Sequence, residues 1–254
     1  MPVVLEKRGN IALITLDRPD RRNAMDGAMT REMRAVLAEF EADPELRVGI
    51  LSGRGKVFCA GMDLAAFASG EAEEILRGQG RFGGFVAAER TKPVIAAVHG
   101  AALAGGLEIM LACDMVIAAE GTLFGLPEAK RGLVAGAGGA FRLTRRLPHV
   151  LANQILLTGD PIACATALAH GMINAVVPAD ALIDEALKLA GTIAANAPLS
   201  LRHSLSLSKM ANDGDEVAEW AMNDRLWPEI EASEDATEGS RAFVEKRAAV
   251  WKGR

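Results

Sequence analysis

Apolar side chains along this chain follow two periods, and their alternation predicts its elements. Residues 11–16, Ile-Ala-Leu-Ile-Thr-Leu, are apolar and partly β-branched, and with residues 3–5 they predict a hairpin. Met29, Met33, Val36, Leu37 and Phe40 recur at helical spacing, which predicts a helix over 29–42. Short continuous apolar runs at 48–52, 93–98 and 115–118 read as buried strands, with an apolar helix at 105–112. Residues 65–90 are expected to be mostly helical, interrupted by Gly78, Gly80, Gly83 and Gly84. A glycine-rich turn follows within 129–147 and leads into a basic amphipathic helix at 141–147. Strands thus alternate with helices over roughly the first 180 residues, which predicts an α/β fold with a buried, largely parallel sheet. From Leu182 onward the periodicity is helical, and Pro198 marks a joint.

Length and charge narrow the picture. At 254 residues, half of them hydrophobic and 24% charged, the chain can bury a full core without disulfide or metal. We expect one core over 1–195 and an appended helical region over 196–254. A net charge of −5 argues against nucleic acid or an anionic membrane surface as partner. The apolar stretch 93–119 is long enough to span a membrane, but it carries His99, Glu108 and Asp114 and is broken by Gly100, Gly105 and Gly106. It is therefore expected in the core. The N-terminus lacks a basic segment followed by an apolar one, and Cys59, Cys113 and Cys164 form no C-x-x-C pair. Reduced thiols, a cytoplasmic location and no metal site are the expectations.

Candidate chemistry concentrates between residues 58 and 139. Gly78-Gln79-Gly80-Arg81-Phe82-Gly83 matches G-x-G-x-x-G, but a charged helical stretch precedes it rather than a strand, so a flexible glycine-rich lid is the reading. Gly105-Gly106 stands between a buried strand and a helix, where backbone N–H groups are unpaired. Ala60-Gly61-Met62 marks a second such junction, and two amides aimed at one carbonyl oxygen would make an oxyanion hole. Glu108 lies among Leu107, Ile109, Met110 and Leu111, where a lone charge costs several kcal/mol. Glu128 follows Phe124-Gly125-Leu126-Pro127, one strand later, so both carboxyls could share a cavity as acid and base. The residues alone also allow a plainer account: glycines that only turn the chain, a helix-end charge at Glu108 and a surface ion pair at Glu128. Residues 241–254 hold five basic side chains against Glu245 alone, a net of +4, which suggests a local anionic partner or a solvated helix end.

These residues together resemble the enoyl-CoA hydratase/isomerase, or crotonase, family. The resemblance runs from residue 11 to residue 251. It rests on Asp17-Arg18-Pro19 with Arg22-Asn23-Ala24, on Phe58-Cys59-Ala60-Gly61-Met62-Asp63-Leu64, and on Lys92 to Val98. It continues in Gly105-Gly106-Leu107-Glu108 with Cys113-Asp114, Phe124-Gly125-Leu126-Pro127-Glu128, and Gly136-Ala137-Gly138-Gly139 with Arg142-Leu143, and ends in Phe243 and Glu245-Lys246-Arg247. Ala104 and Ala135 depart from the pattern, replacing a usual glycine and a usual proline.

The resemblance implies a crotonase-like spiral of β-β-α units with a C-terminal helical trimerisation region, forming homotrimers that commonly pair into hexamers. It implies an acyl-CoA thioester substrate in fatty-acid breakdown (β-oxidation), with CoA part of the substrate and no separate cofactor. Carried over by motif, Met62 and Gly105 supply the oxyanion-hole amides, and Glu108 and Glu128 are the catalytic pair. Arg22, Ala24, Ala60, Asp63 and Leu64 lie along the CoA. Lys246 and Phe243 meet its phosphate and adenine from a neighbouring subunit. Two glutamates favour an enoyl-CoA hydratase. The alternatives are a carnitinyl-CoA dehydratase-like lyase, a Δ3,Δ2-isomerase, or a catalytically silent acyl-CoA-binding protein.

Overall fold

The short apolar runs at 48–52, 93–98 and 115–118 become strands, and the chain builds two sheets. The computed structural model describes residues 1–210 and 216–254, excluding the side chains of residues 216–220, Ser240, Phe243 and Val244. β1 (Val3–Arg8) and β2 (Ile11–Leu16) form the expected antiparallel hairpin. β3 (Val48–Gly53), β4 (Val94–Val98), β6 (Met115–Ala119) and β9 (Ala175–Val177) then add in parallel, giving the order β1-β2-β3-β4-β6-β9. β5 (Ala101–Leu103), β7 (Leu123–Gly125) and β8 (Ile162–Ala163) make a second, three-stranded sheet in the order β5-β7-β8. β4 and β5 contribute one strand to each sheet, as do β6 and β7, so the chain winds as the spiral of β-β-α units that the family resemblance implied.

Both faces of the larger sheet are covered, which is why its central strands read as continuous apolar runs. On one face α1 (Gly27–Ala42) packs Met29, Met33, Leu37 and Phe40 into the main core. Asp26 caps it, accepting from Met29 N–H at 2.8 Å. On the other face α8 (Leu182–Ala194) lays Leu182, Ala186, Ala190 and Ala194 against Leu13, Ile50, Ile95 and Ile117. That four-residue spacing of small side chains lets the helix approach the sheet closely.

Residues 65–90 differ from expectation. Only α2 (Leu64–Ala66) and α3 (Ala72–Leu76) are α-helical, separated by a wide turn at Phe67–Glu71 in which Gly70 takes φ 97°. Nor is the glycine-rich stretch a flexible lid. Phe82, Gly83 and Gly84 are buried, with Gly83 against Met25 and Ile109 and Gly84 against the Thr30 carbonyl. These glycines stay bare because the backbone presses directly on α1 and on α4 (Gly105–Ala112).

From Leu182 onward the described residues are helical as expected, with α8 followed by α9 (Pro198–Met210), α10 (Glu216–Glu231) and α11 (Glu234–Glu245); α5 (Gly139–Arg146), α6 (His149–Thr158) and α7 (Cys164–Ala169) precede them among the last strands. The basic tail is not a free anion-binding end. Arg241 and Arg247 pair with Glu238, and Lys252 and Arg254 pair with Glu234. Asp235 accepts from the Lys252 and Gly253 N–H groups at 2.7 and 2.9 Å, and the Trp251 indole donates to the Ala195 carbonyl at 2.6 Å. The tail folds back on α11, and of its five basic side chains Lys246 alone has no partner among the described residues. No helix among the described residues is long and apolar enough to cross a membrane.

Candidate active site

The first junction is built by a buried asparagine. Asn23 takes φ 54°, a left-handed conformation that Asn tolerates better than most residues. Its Oδ1 accepts from Arg18 N–H at 2.9 Å, and its Nδ2 donates to the carbonyls of Arg54, Val57 and Phe58 at 2.9–3.0 Å. Arg18 closes the same loop through ion pairs to Asp63 at 2.8 Å and Asp26 at 3.1 Å. Met25 then bridges to Met62: Met25 N–H donates to Gly61 O and Asp63 N–H to Met25 O. In such a bridge the flanking groups face the partner strand, so the Met62 N–H points away from Met25.

The second junction lies against the first. A Cβ on Gly61 would come within 3.0 Å of Gly105 N and 2.9 Å of the Ala104 Cβ. Gly105 opens α4 and lies under the Phe82 ring, where a Cβ would overlap it. Neither the Met62 nor the Gly105 N–H donates to an acceptor among the described residues. Ala104, standing where the family pattern has glycine, is held at φ 50° and ψ −129°, with its N–H on Gly125 O and its carbonyl accepting from Glu108 N–H. A side chain there stores on the order of 1–3 kcal/mol of strain. Gly106 packs so closely on the Cys59 carbonyl that a Cβ has no room. Gly106→Ala should therefore destabilise the fold by about 2 kcal/mol, read as a lowered denaturant midpoint with an unchanged slope; an unaltered midpoint would contradict this packing.

Both acidic residues are withdrawn from solvent, and the charge of one acts on the other. Glu108, one turn into α4, is 4% exposed. Its Oε1 accepts from Ala137 N–H at 2.8 Å and from Gly139 N–H at 2.9 Å, so the turn at residues 136–139 cradles one carboxyl oxygen. Burial raises its pKa from 4.5 to about 7, with the Glu128 charge adding to the rise and the two amides and Arg142 opposing it. Glu128 sits in the Pro127–Arg131 turn, half-buried. Its Oε2 is shielded from solvent with no hydrogen-bond partner among the described residues, and burial raises its pKa as well. Glu108 does lie in the first turn of α4, but its carboxyl is bound by the 136–139 turn, and Glu128 makes no ion pair among the described residues. Both carboxyls are desolvated, and the Glu128 charge acts on Glu108.

The remaining expected contacts divide. Arg22 is exposed, and Ala60 N–H donates to its carbonyl at 3.0 Å. Ala24 is buried and its carbonyl accepts from Arg18 at 2.9 Å. Asp63 holds Arg18 and caps α2, and Leu64 is 50% exposed beside it. The backbone thus gathers Arg22, Ala24, Ala60, Asp63 and Leu64 around Met62. Lys246 makes no hydrogen bond or ion pair with any of them among the described residues, and the Phe243 side chain lies outside the described residues. Cys59 beneath the junction is inert: burial pushes its thiol up to about 12. Sequence reasoning missed the amides of Ala137 and Gly139, for which the Gly-Ala-Gly-Gly run was the available signal. It also gave Asn23 no structural part, although a buried side-chain amide is what ties the loop together. Among the described residues no cluster of His, Cys, Asp and Glu could hold a metal.

Comparison with known proteins agrees with this fold. The enoyl-CoA hydratase/isomerase family model matches residues 6–254. Carnitinyl-CoA dehydratase of Proteus mirabilis is 42% identical, with 98% of each chain covered. An enoyl-CoA hydratase structure from Mycobacterium tuberculosis superposes with a TM-score of 0.95 at 40% identity, covering 100% of this chain and 99% of that one. A carnitinyl-CoA hydratase structure from Mycobacterium avium is 47% identical with a TM-score of 0.79, over 100% and 99% of the two chains. With its two-sheet spiral and this match over almost its whole length, the chain belongs to the enoyl-CoA hydratase/isomerase family.

Proposed function

We propose that this chain is a hydro-lyase of CoA thioesters, adding water reversibly and syn across the 2,3-double bond of a 2-enoyl-CoA. One observation carries the reading: Glu108 has one oxygen clamped by two amides, while coupled Glu128 keeps a buried oxygen without a partner. A clamped carboxylate holds its second oxygen in a fixed place for a water molecule. An unpartnered buried carboxyl is suited to hold and release a proton.

In hydration the water oxygen bonds to C3 as its proton passes to Glu108, and Glu128 gives its proton to C2. The charge that develops on the thioester oxygen falls to the N–H groups of Met62 and Gly105, a contribution of roughly 3–4 kcal/mol per donor. Dehydration runs the same steps backward, Glu128 taking the C2 proton and Glu108 protonating the leaving hydroxyl. Each direction needs one proton on the pair, and desolvation of both groups, with the Glu128 charge acting on Glu108, favours the protonated forms. The step is redox-neutral and calls for no cofactor besides the CoA carried by the substrate. The CoA would follow Arg22, Ala24, Ala60, Asp63 and Leu64, with Lys246 and Phe243 supplied by a neighbouring copy in a homotrimer or a pair of trimers. The exposed apolar side chains Val150 and Leu157, seven residues apart on α6, and Trp227 on α10 support such an assembly.

A second substrate reading is carnitinyl-CoA, supported by the names of the curated relatives at 41–42% identity. One assay separates these. Crotonyl-CoA and longer 2-enoyl-CoA esters should lose their conjugated absorbance, and the rate over the series ranks chain length. Faster appearance of that absorbance from carnitinyl-CoA would transfer the assignment to the second reading. Binding of the whole panel without turnover would leave only an acyl-CoA carrier.

A further inference from the structure

Glu108 is held by a turn, and Arg142 braces that turn from its other side. Arg142 projects from the first turn of α5 and is half-buried. Its Nη2 donates to the Val86 carbonyl at 2.6 Å and its Nη1 to the Ala137 carbonyl at 3.4 Å. Gly138, at φ 104°, passes so close that a Cβ would overlap the guanidinium. The peptide units on either side of Ala137 therefore face opposite ways: its N–H points at Glu108 and its carbonyl at Arg142. The other end of the guanidinium reaches the segment beside Gly105, because Val86 N–H donates to Phe82 O at 3.4 Å and the Phe82 ring rests on Gly105. A turn made of Gly-Ala-Gly-Gly has almost no side chain of its own to keep its shape.

We propose that Arg142 is a positioning residue: it locks the 136–139 turn so that Ala137 and Gly139 stay aimed at Glu108, and it ties that turn to the Phe82 segment packed on Gly105. The proposal rests on the reading that Glu108 works on the water. The charged groups acting on Glu108 are Glu128, from the Pro127–Arg131 turn, and Arg142, from α5.

The test places R142Q in the wild-type and E108Q backgrounds, with R142K as the conservative variant. In the wild-type background R142Q should lower kcat about 10- to 100-fold, with KM within about threefold, the size expected when a reacting group is misplaced by an ångström. The acidic limb of the kcat profile should move to higher pH, because ionised Glu108 loses a favourable charge. R142K should recover part of kcat, since an ammonium keeps the charge but reaches one carbonyl rather than two. In E108Q, R142Q should have little further effect on kcat. Equal losses in both backgrounds, or a fixed acidic limb, would overturn the proposal. If R142Q does not fold, R142K carries the cycle, and its loss should vanish in E108Q. Infrared titration of the carboxyl band that E108Q removes gives an independent readout; its midpoint should rise in R142Q, and an unmoved midpoint counts against Arg142. That titration needs no turnover, so it stands apart from failure of the hydratase reading, which would show as no hydration of any thioester by the wild type.

Discussion

Glu128→Gln is expected to lower kcat for crotonyl-CoA hydration by about 10³- to 10⁴-fold, the full worth of a positioned acid–base group. The replacement is nearly isosteric, so the buried Oε2 position is filled by an amide nitrogen that cannot give up a proton to C2. Most of the affinity should come from the CoA portion, remote from the reacting carbons, and a saturated thioester should bind within about threefold of wild type. Absorbance assays give the rate and calorimetric titration the affinity. Turnover left intact would remove Glu128 from the chemistry and with it the assignment. A large loss with Glu128→Gln beside little loss with Glu108→Gln would mean that the water is activated without Glu108.

Glu108→Gln should separate catalysis from stability, moving them in opposite directions. Hydration should fall, because the amide cannot take the water's proton. Stability should rise at alkaline pH. The folded-state pKa of Glu108 is raised from 4.5 to about 7, so between those values the folded chain binds more protons than the unfolded one. The wild type therefore loses stability as pH climbs through that window, by on the order of 3 kcal/mol once Glu108 is fully ionised. Raised Glu128 acts in the same direction. Gln escapes its share of this cost while its Oε1 still accepts from Ala137 and Gly139. At pH 8 the variant should melt roughly 5–10 °C above the wild type, and at pH 4 to 5 the gap should close. Scanning calorimetry at both pH values decides it; equal melting points at pH 8 would mean that Glu108 carries no buried charge. The gain marks Glu108 as a group kept for function at the expense of the fold.

How much could be read in advance differs from element to element, for physical reasons. The hairpin, α1 and the parallel strands were legible because their side-chain period is set by burial on one face or two. The stretch 65–90 was misread because helical periodicity says nothing of glycines pressed against Thr30 and Met25 from outside the segment. The pairing of the tail was hidden for the same reason. Its charge of +4 is local arithmetic, whereas the partners Glu234 and Glu238 lie on a helix to which the tail returns only after folding.

By itself the order of residues determined the alternation of strand and helix, the apolar setting of Glu108, and the glycines that only close backbone contact can require. Those are properties of local chemistry and spacing, present in any conformation of the chain. Tertiary structure alone decided that Glu108 takes its two hydrogen bonds from a turn 29 and 31 residues away, that Glu128 is left with a buried oxygen, and that Arg142 stands behind the turn. Hydrogen bonds and desolvation act over a few ångströms, so which groups they join is settled only when the spiral brings distant segments together.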